Sequence, residues 1–231
     1  MFETYEECVA YLNANRDGKY DDFNSKIVNS TYPTLGVRTP VIKKLAKQAD
    51  ISRRDDILTD FFADTEKTYD VVLFAGCVAA RKGDYAATRE YLKKLIPLFG
   101  SWAHVDCVVP MLDWTDVDTF LADFDYLGTA AGEYEVRTYI IYLMNYCLTA
   151  DRIDFALDRL QTIEFGKYYV DMAAAWMLAE ALVKQYDKTL PLIESKTFPK
   201  FVHNKAIQKA RESYRIDDSK KALLGTFKRT Q

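Results

Sequence analysis

Apolar residues recur along nearly the whole chain at intervals of three and four, the spacing that gathers them on one side of an α-helix. No stretch alternates apolar and polar residues for long enough to predict a strand. Gly and Pro number only nine and six in 231 residues, so few positions interrupt the pattern. The spacing predicts helices over 4–15, 21–30, 40–49, 54–62, 67–81, 84–98, 102–112, 117–125, 133–148, 151–160, 168–185, 188–194, 200–215 and 218–226. Thr39-Pro40 has the form of an N-cap followed by a first-turn proline, and Ser101, Asp151, Asp187 and Asp217 or Asp218 are further cap candidates. So many short helices joined by tight turns do not fit a four-helix bundle. They fit antiparallel helix pairs stacked in a row. The expectation is an all-α chain, an α-α superhelix (solenoid) of HEAT-like pairs in one domain over 1–231, with a concave binding face. The repeats are not self-similar in sequence.

Half the residues are apolar and about a quarter charged, enough for a sizeable core. The start, MFETYEECV, lacks the basic and apolar regions of a signal peptide, and the longest apolar run, 71–80, is about half a membrane span. These features predict a cytoplasmic protein with no membrane segment. Cys8, Cys77, Cys107 and Cys147 stand far apart in apolar stretches and read as reduced core thiols. With only His104 and His203 beside them, no metal site and no cofactor is expected. The net charge of −3 is unevenly spread. Residues 195–231 hold ten Lys/Arg against three Asp/Glu, whereas 101–164 hold twelve acids and three bases. That asymmetry suits a polyanion engaged from one side, and equally suits solvated helix faces of opposite sign.

Four places carry candidate chemistry. In SWAHVD (101–106) a Ser101 cap would put Trp102 and Asp106 four residues apart on one helix face, an aromatic and a carboxylate that both attract a cation. The alternative is a half-buried Trp beside a solvated acid. Arg137 is a lone base at the edge of an apolar helix face; it either pairs with Glu133 one turn back or contacts a phosphate or neighbouring carboxylate. Trp176 follows three alanines, which suits either close helix packing around a buried ring or an aromatic wall. Lys205 and Lys209 share a face opposite Ala206, Ile207 and Ala210, placed to grip a phosphate backbone or simply to meet solvent.

Together with LGVRTPVIKKLAK (35–47), the segments SWAHVD, EYEVRTYIIYLM, YYVDMAAAWML and FVHNKAIQKARES resemble, in order, the motifs of the AlkD-like family of DNA alkylation repair proteins. The resemblance implies a HEAT-like superhelix, probing duplex DNA without base flipping, that releases cationic N3- or N7-alkylated purines. It implies Asp106 as the catalytic carboxylate, Trp102 and Trp176 as aromatic walls, and Arg137 as a cation near the DNA backbone. Arg38, Lys43, Lys44 and Lys47 would then join Lys205 and Lys209 in holding double-stranded DNA with alkylated bases. The implied protein is a monomer, associated with the nucleoid when bound. The chain departs from active members at Ile27, where they carry an aromatic DNA contact, and its isoelectric point near 5.5 is low for a binder of a dense polyanion. Binding of damaged or branched DNA without excision, and a protein–protein scaffold, are the competing readings.

Overall fold

The computed structural model describes residues 1–230. Among these, fourteen α-helices form: α1 (Tyr5–Ala14), α2 (Gly18–Val28), α3 (Thr39–Gln48), α4 (Arg54–Ala63), α5 (Tyr69–Ala79), α6 (Tyr85–Leu95), α7 (Trp102–Val108), α8 (Val117–Phe124), α9 (Glu133–Tyr146), α10 (Ile153–Gln161), α11 (Tyr168–Lys184), α12 (Tyr186–Glu194), α13 (Lys200–Glu212) and α14 (Asp218–Thr226). The described residues contain no strand, only an isolated parallel bridge from Phe2 to Ala49. The fold is all-α, as the periodicity predicts. The chain divides into two compact units, Met1–Thr115 and Asp116–Gln231.

Side-chain caps set most helix starts. Thr4 and Glu7 form a reciprocal capping box on α1, and Thr68, Asp84, Ser101, Asp116 and Asp217 each accept a first-turn amide. Four expected starts differ. Asp17 caps α2, which therefore begins three residues early. Thr39 is already helical and Arg38 precedes it without a capping bond, and the two aspartates Asp151 and Asp187 do not cap, α10 and α12 following Arg152 and Gln185. Prolines 97 and 110 tighten the ends of α6 and α7 into 3₁₀ turns, where one continuous helix is expected in each case.

In the first unit α5 is buried along its whole length and packs against α1, α3, α4, α6 and α7. In the second, α11 packs against α9, α12 and α13, and α10 touches both α9 and α12. In the second unit alternate helices therefore meet, α9 with α11, α10 with α12 and α11 with α13. Ala179, Leu182, Ile193, Ile207, Ala210, Ile216 and Leu224 make one continuous core beneath α11 to α14.

Two buried polar groups fix the loops around α7. Asp70 on α5 accepts the amides of Leu35 (2.6 Å) and Val37 (2.9 Å), pinning the LGVRTP loop, whose Gly36 has φ +73° and leaves no room for a Cβ against the Asp17 carbonyl. His104 on α7 is fully buried and stacks on Tyr69 at 4.7 Å. Its Nδ1 accepts the Gly100 amide at 3.2 Å. Because a carbonyl only accepts, its Nε2–H donates to Tyr69 O at 3.0 Å. Both ring nitrogens are thereby committed to the neutral form, and burial lowers the pKa from 6.5 to about 4.

Asp70→Ala strands two amide donors and should destabilise the protein by about 2–4 kcal/mol, measured by denaturant unfolding. For His104 the folded pKa lies below the unfolded one, so the unfolded chain takes up the proton first as pH falls. Stability is full above about pH 6.5 and drops towards pH 4, by about 3 kcal/mol in all. His203, whose pKa burial also lowers, adds in the same direction. Unfolding series at neutral and acid pH should show this loss, and His104→Gln should flatten it.

Candidate nucleic-acid interface

The candidate residues of the first unit sit on α7 and α3. The turn into α7 is tied down before the helix starts: Ser101 is buried, accepts the Ala103 amide and donates to Val28 O at 2.6 Å, while Thr31 N bonds Gly100 O at 2.9 Å. Gly100 is required here, since a Cβ would meet Thr31 Oγ1 at 2.1 Å and the Tyr32 ring at 2.8 Å. From this anchor Ala103, His104, Val105 and Val108 face inward. Trp102 and Asp106 remain half-buried on the opposite stripe, as the four-residue spacing predicts. The Trp102 indole donates to Ile27 O at 3.1 Å, which fixes the plane of the ring.

Next to Asp106, Cys107 is half-buried rather than a core thiol. Burial pushes its pKa up, and the Lys43 ammonium, hydrogen-bonded to the sulfur, pulls it down. Lys43 is thereby brought from α3 to the residue beside the candidate carboxylate. Lys44 and Lys47 are exposed. Arg38 is also exposed, but it pairs with Asp17 at 2.9 Å and lies over the Tyr20 ring. An ion pair this open to water is worth little and yields readily to a phosphate. On α2 the structure exposes Ile27, the position where the sequence departs from active members, and Phe23, which the motifs do not include. Phe23 is 64% exposed and Ile27, whose carbonyl holds Trp102, is 46% exposed. Their four-residue spacing on an otherwise polar helix is the sequence signal for this patch.

In the second unit Arg137 is only 5% exposed. One guanidinium arm donates to Tyr169 O at 2.8 Å, and Glu133, one turn earlier, accepts the Tyr169 amide at 2.6 Å. Glu133 and Arg137 of α9 thus hold both backbone polar groups of one residue at the start of α11. Trp176 is half-buried and not enclosed among its alanines; Ala173, Ala174 and Ala175 are fully buried while the ring lines a hollow of about 270 Å³. Lys209 lines the same hollow with Glu180, Glu212 and Arg215, so Trp176 and Lys209 are brought together. Lys205 points elsewhere, bonding Gln208 at 3.2 Å in a separate hollow with Lys200 and Lys228.

Several of the twelve acidic residues between 101 and 164 are spent on structure. Asp116 caps α8, Asp118 pairs with Arg152, Asp125 accepts Tyr139 Oη and pairs with Arg159, and Asp154 pairs with Lys188. Among the described residues no cluster of three His, Cys, Asp or Glu side chains is placed to hold a metal ion, and no helix is long and apolar enough to cross a membrane.

Comparison with curated proteins found no match. A family model described as DNA alkylation repair enzyme matches residues 9–209, which takes in α7, α9, α11 and most of α13. The match spans most of the chain, in agreement with an all-α fold that carries the Trp102–Asp106 pair on an anchored helix, and the chain belongs to the DNA alkylation repair enzyme family.

Proposed function

We propose that this protein is a monofunctional DNA glycosylase, releasing N3- or N7-alkylated purines from duplex DNA as a monomer built of HEAT-like helix pairs. The observation that carries this reading is the Trp102–Asp106 pair, presented to solvent by a short helix whose other side is locked by Ser101 and His104. An N3- or N7-alkylpurine already bears positive charge and leaves without a general acid. The remaining barrier is the positive charge that grows on the deoxyribose as the glycosidic bond breaks. A carboxylate fixed at Asp106 stabilises that charge and can orient the attacking water, as carboxylates do at other glycosidic bonds. The Trp102 face adds a cation–π attraction of about 0.5–2 kcal/mol for the lesion, and Trp176 offers an aromatic face of its own on the second unit. Lys43, Lys44, Lys47 and Arg38 on one unit, and Lys205 and Lys209 on the other, supply phosphate contacts.

The burial of Arg137 and its commitment to Tyr169 favour a second reading, DNA binding without excision, because that guanidinium then serves the fold rather than a DNA backbone. Release of free 7-methylguanine and 3-methyladenine from methylated duplex DNA decides between the two. Under the glycosylase reading Asp106→Asn lowers release by about 100-fold or more while DNA affinity stays equal or rises, since a charge facing phosphates is removed. Undiminished release by this variant would remove Asp106 from the chemistry, and no release by the folded wild type would leave the binding reading. Replacing exposed Lys44 and Lys47 together by Ala should weaken duplex binding and flatten its log–log salt dependence, by about 0.9 for each phosphate that is no longer neutralised.

A further inference from the structure

The first turns of α11 and α13 leave two aromatic rings in water. Tyr168 is 58% exposed and Phe201 45% exposed, and their centroids lie 6.2 Å apart. Tyr168 also meets Tyr169 at 5.1 Å, and Tyr169 meets Tyr134 at 5.6 Å. Four rings from the starts of α9, α11 and α13 therefore form one continuous row, half-buried at Tyr134 and Tyr169 and open at Tyr168 and Phe201. The open end borders a hollow of about 590 Å³ lined by Lys200, Phe201, Asn204, Lys205, Gln208 and Lys228. Three ammonium groups and two amides face it, and no carboxylate is among the described lining residues. Several basic side chains elsewhere in this unit are paired with acids, as in Arg152 with Asp118, Lys188 with Asp154 and Arg215 with Glu180.

We infer that this row and its lysine hollow form a second nucleic-acid site, which takes unpaired nucleotides of single-stranded DNA. Bases stack on Tyr168 and Phe201 and phosphates meet Lys200, Lys205 and Lys228, while Asn204 is held by the Arg229 backbone and Gln208 by Lys205 and Glu212. The charge calls for a polyanion, and the rings choose its form. Base faces inside a duplex are covered by their neighbours, so a duplex meets the lysines and leaves both rings in water. An unpaired strand uses both, and tolerates any sequence because every base has a π face. The site shares Lys205 with the proposed duplex contacts and uses neither Asp106 nor Trp102 nor Trp176. It rests on DNA being the partner and not on excision, and would hold the protein at gaps, flaps or frayed ends.

Fluorescence anisotropy with a labelled oligothymidylate, beside a labelled duplex at the same salt, tests it. The double variant Tyr168→Ala/Phe201→Ala should bind the oligothymidylate about 10- to 100-fold more weakly, with duplex affinity and melting midpoint unchanged. Phe201→Trp should retain binding, whereas Phe201→Leu, which keeps the bulk but not the π face, should not. The inference is overturned if the wild type does not saturate on the oligothymidylate, if the double variant binds it as well as wild type, or if duplex affinity falls in parallel. Base release by the double variant, expected at the wild-type level, keeps the two readings apart: a protein that releases no base still gives a valid oligothymidylate comparison.

Discussion

Helices of seven to seventeen residues are marginal on their own in water, because nucleation is costly and few hydrogen bonds follow it. Every helix here depends on apolar surface supplied by others, and in each unit one helix supplies most of it. α5, buried on all sides, holds the first unit, and α11 with its small-residue stretch Ala173–Ala175 holds the second. Alternate helices meet because each central helix must be covered by the helices before and after it as well as by its partner.

The same constraint makes a short helix into a rigid platform. α7 has seven residues and could not define the direction of two side chains unaided. Its buried stripe, the Ser101 cap reaching Val28, and the two hydrogen bonds of His104 fix it from three sides. A carboxylate placed on such an element loses little freedom when substrate charge develops, which is the condition for electrostatic stabilisation. The buried groups here are uncharged or hydrogen-bonded, and the charged one, Asp106, is half-buried on the opposite stripe.

Charge in this protein is distributed by task. Many acids cap helices or pair with a base on a neighbouring helix, so the negative net charge does not mean an evenly repelling surface. The bases Lys200, Lys205 and Lys228 share a hollow whose described lining holds no acid, and Lys43 of α3 reaches the residue beside Asp106. A chain with a low isoelectric point can meet DNA locally where its lysines are concentrated, provided the contacts are short in range at physiological ionic strength.

The helices and many of their boundaries were legible in the sequence because both signals are local: a three-to-four spacing of apolar residues, and a Ser, Thr or Asp one residue ahead of it. The Trp102–Asp106 pairing was legible for the same reason, being set by the pitch of one helix. Cap assignment went astray at Thr39, Asp151 and Asp187, where the neighbouring residue's backbone and not the side chain's capacity decided the start. What a side chain touches across helices is a different kind of fact. The sequence by itself left Arg137 open between Glu133 and a phosphate, Trp176 open between core and surface, and did not distinguish Phe23, Tyr168 or Phe201 from core aromatics. Tertiary packing buried Arg137 against the Tyr169 carbonyl, turned Trp176 to the hollow of Lys209, and left those three rings in water. Spacing tells which residues share a helix face. Only the packing of helices distant in sequence determines which faces are covered.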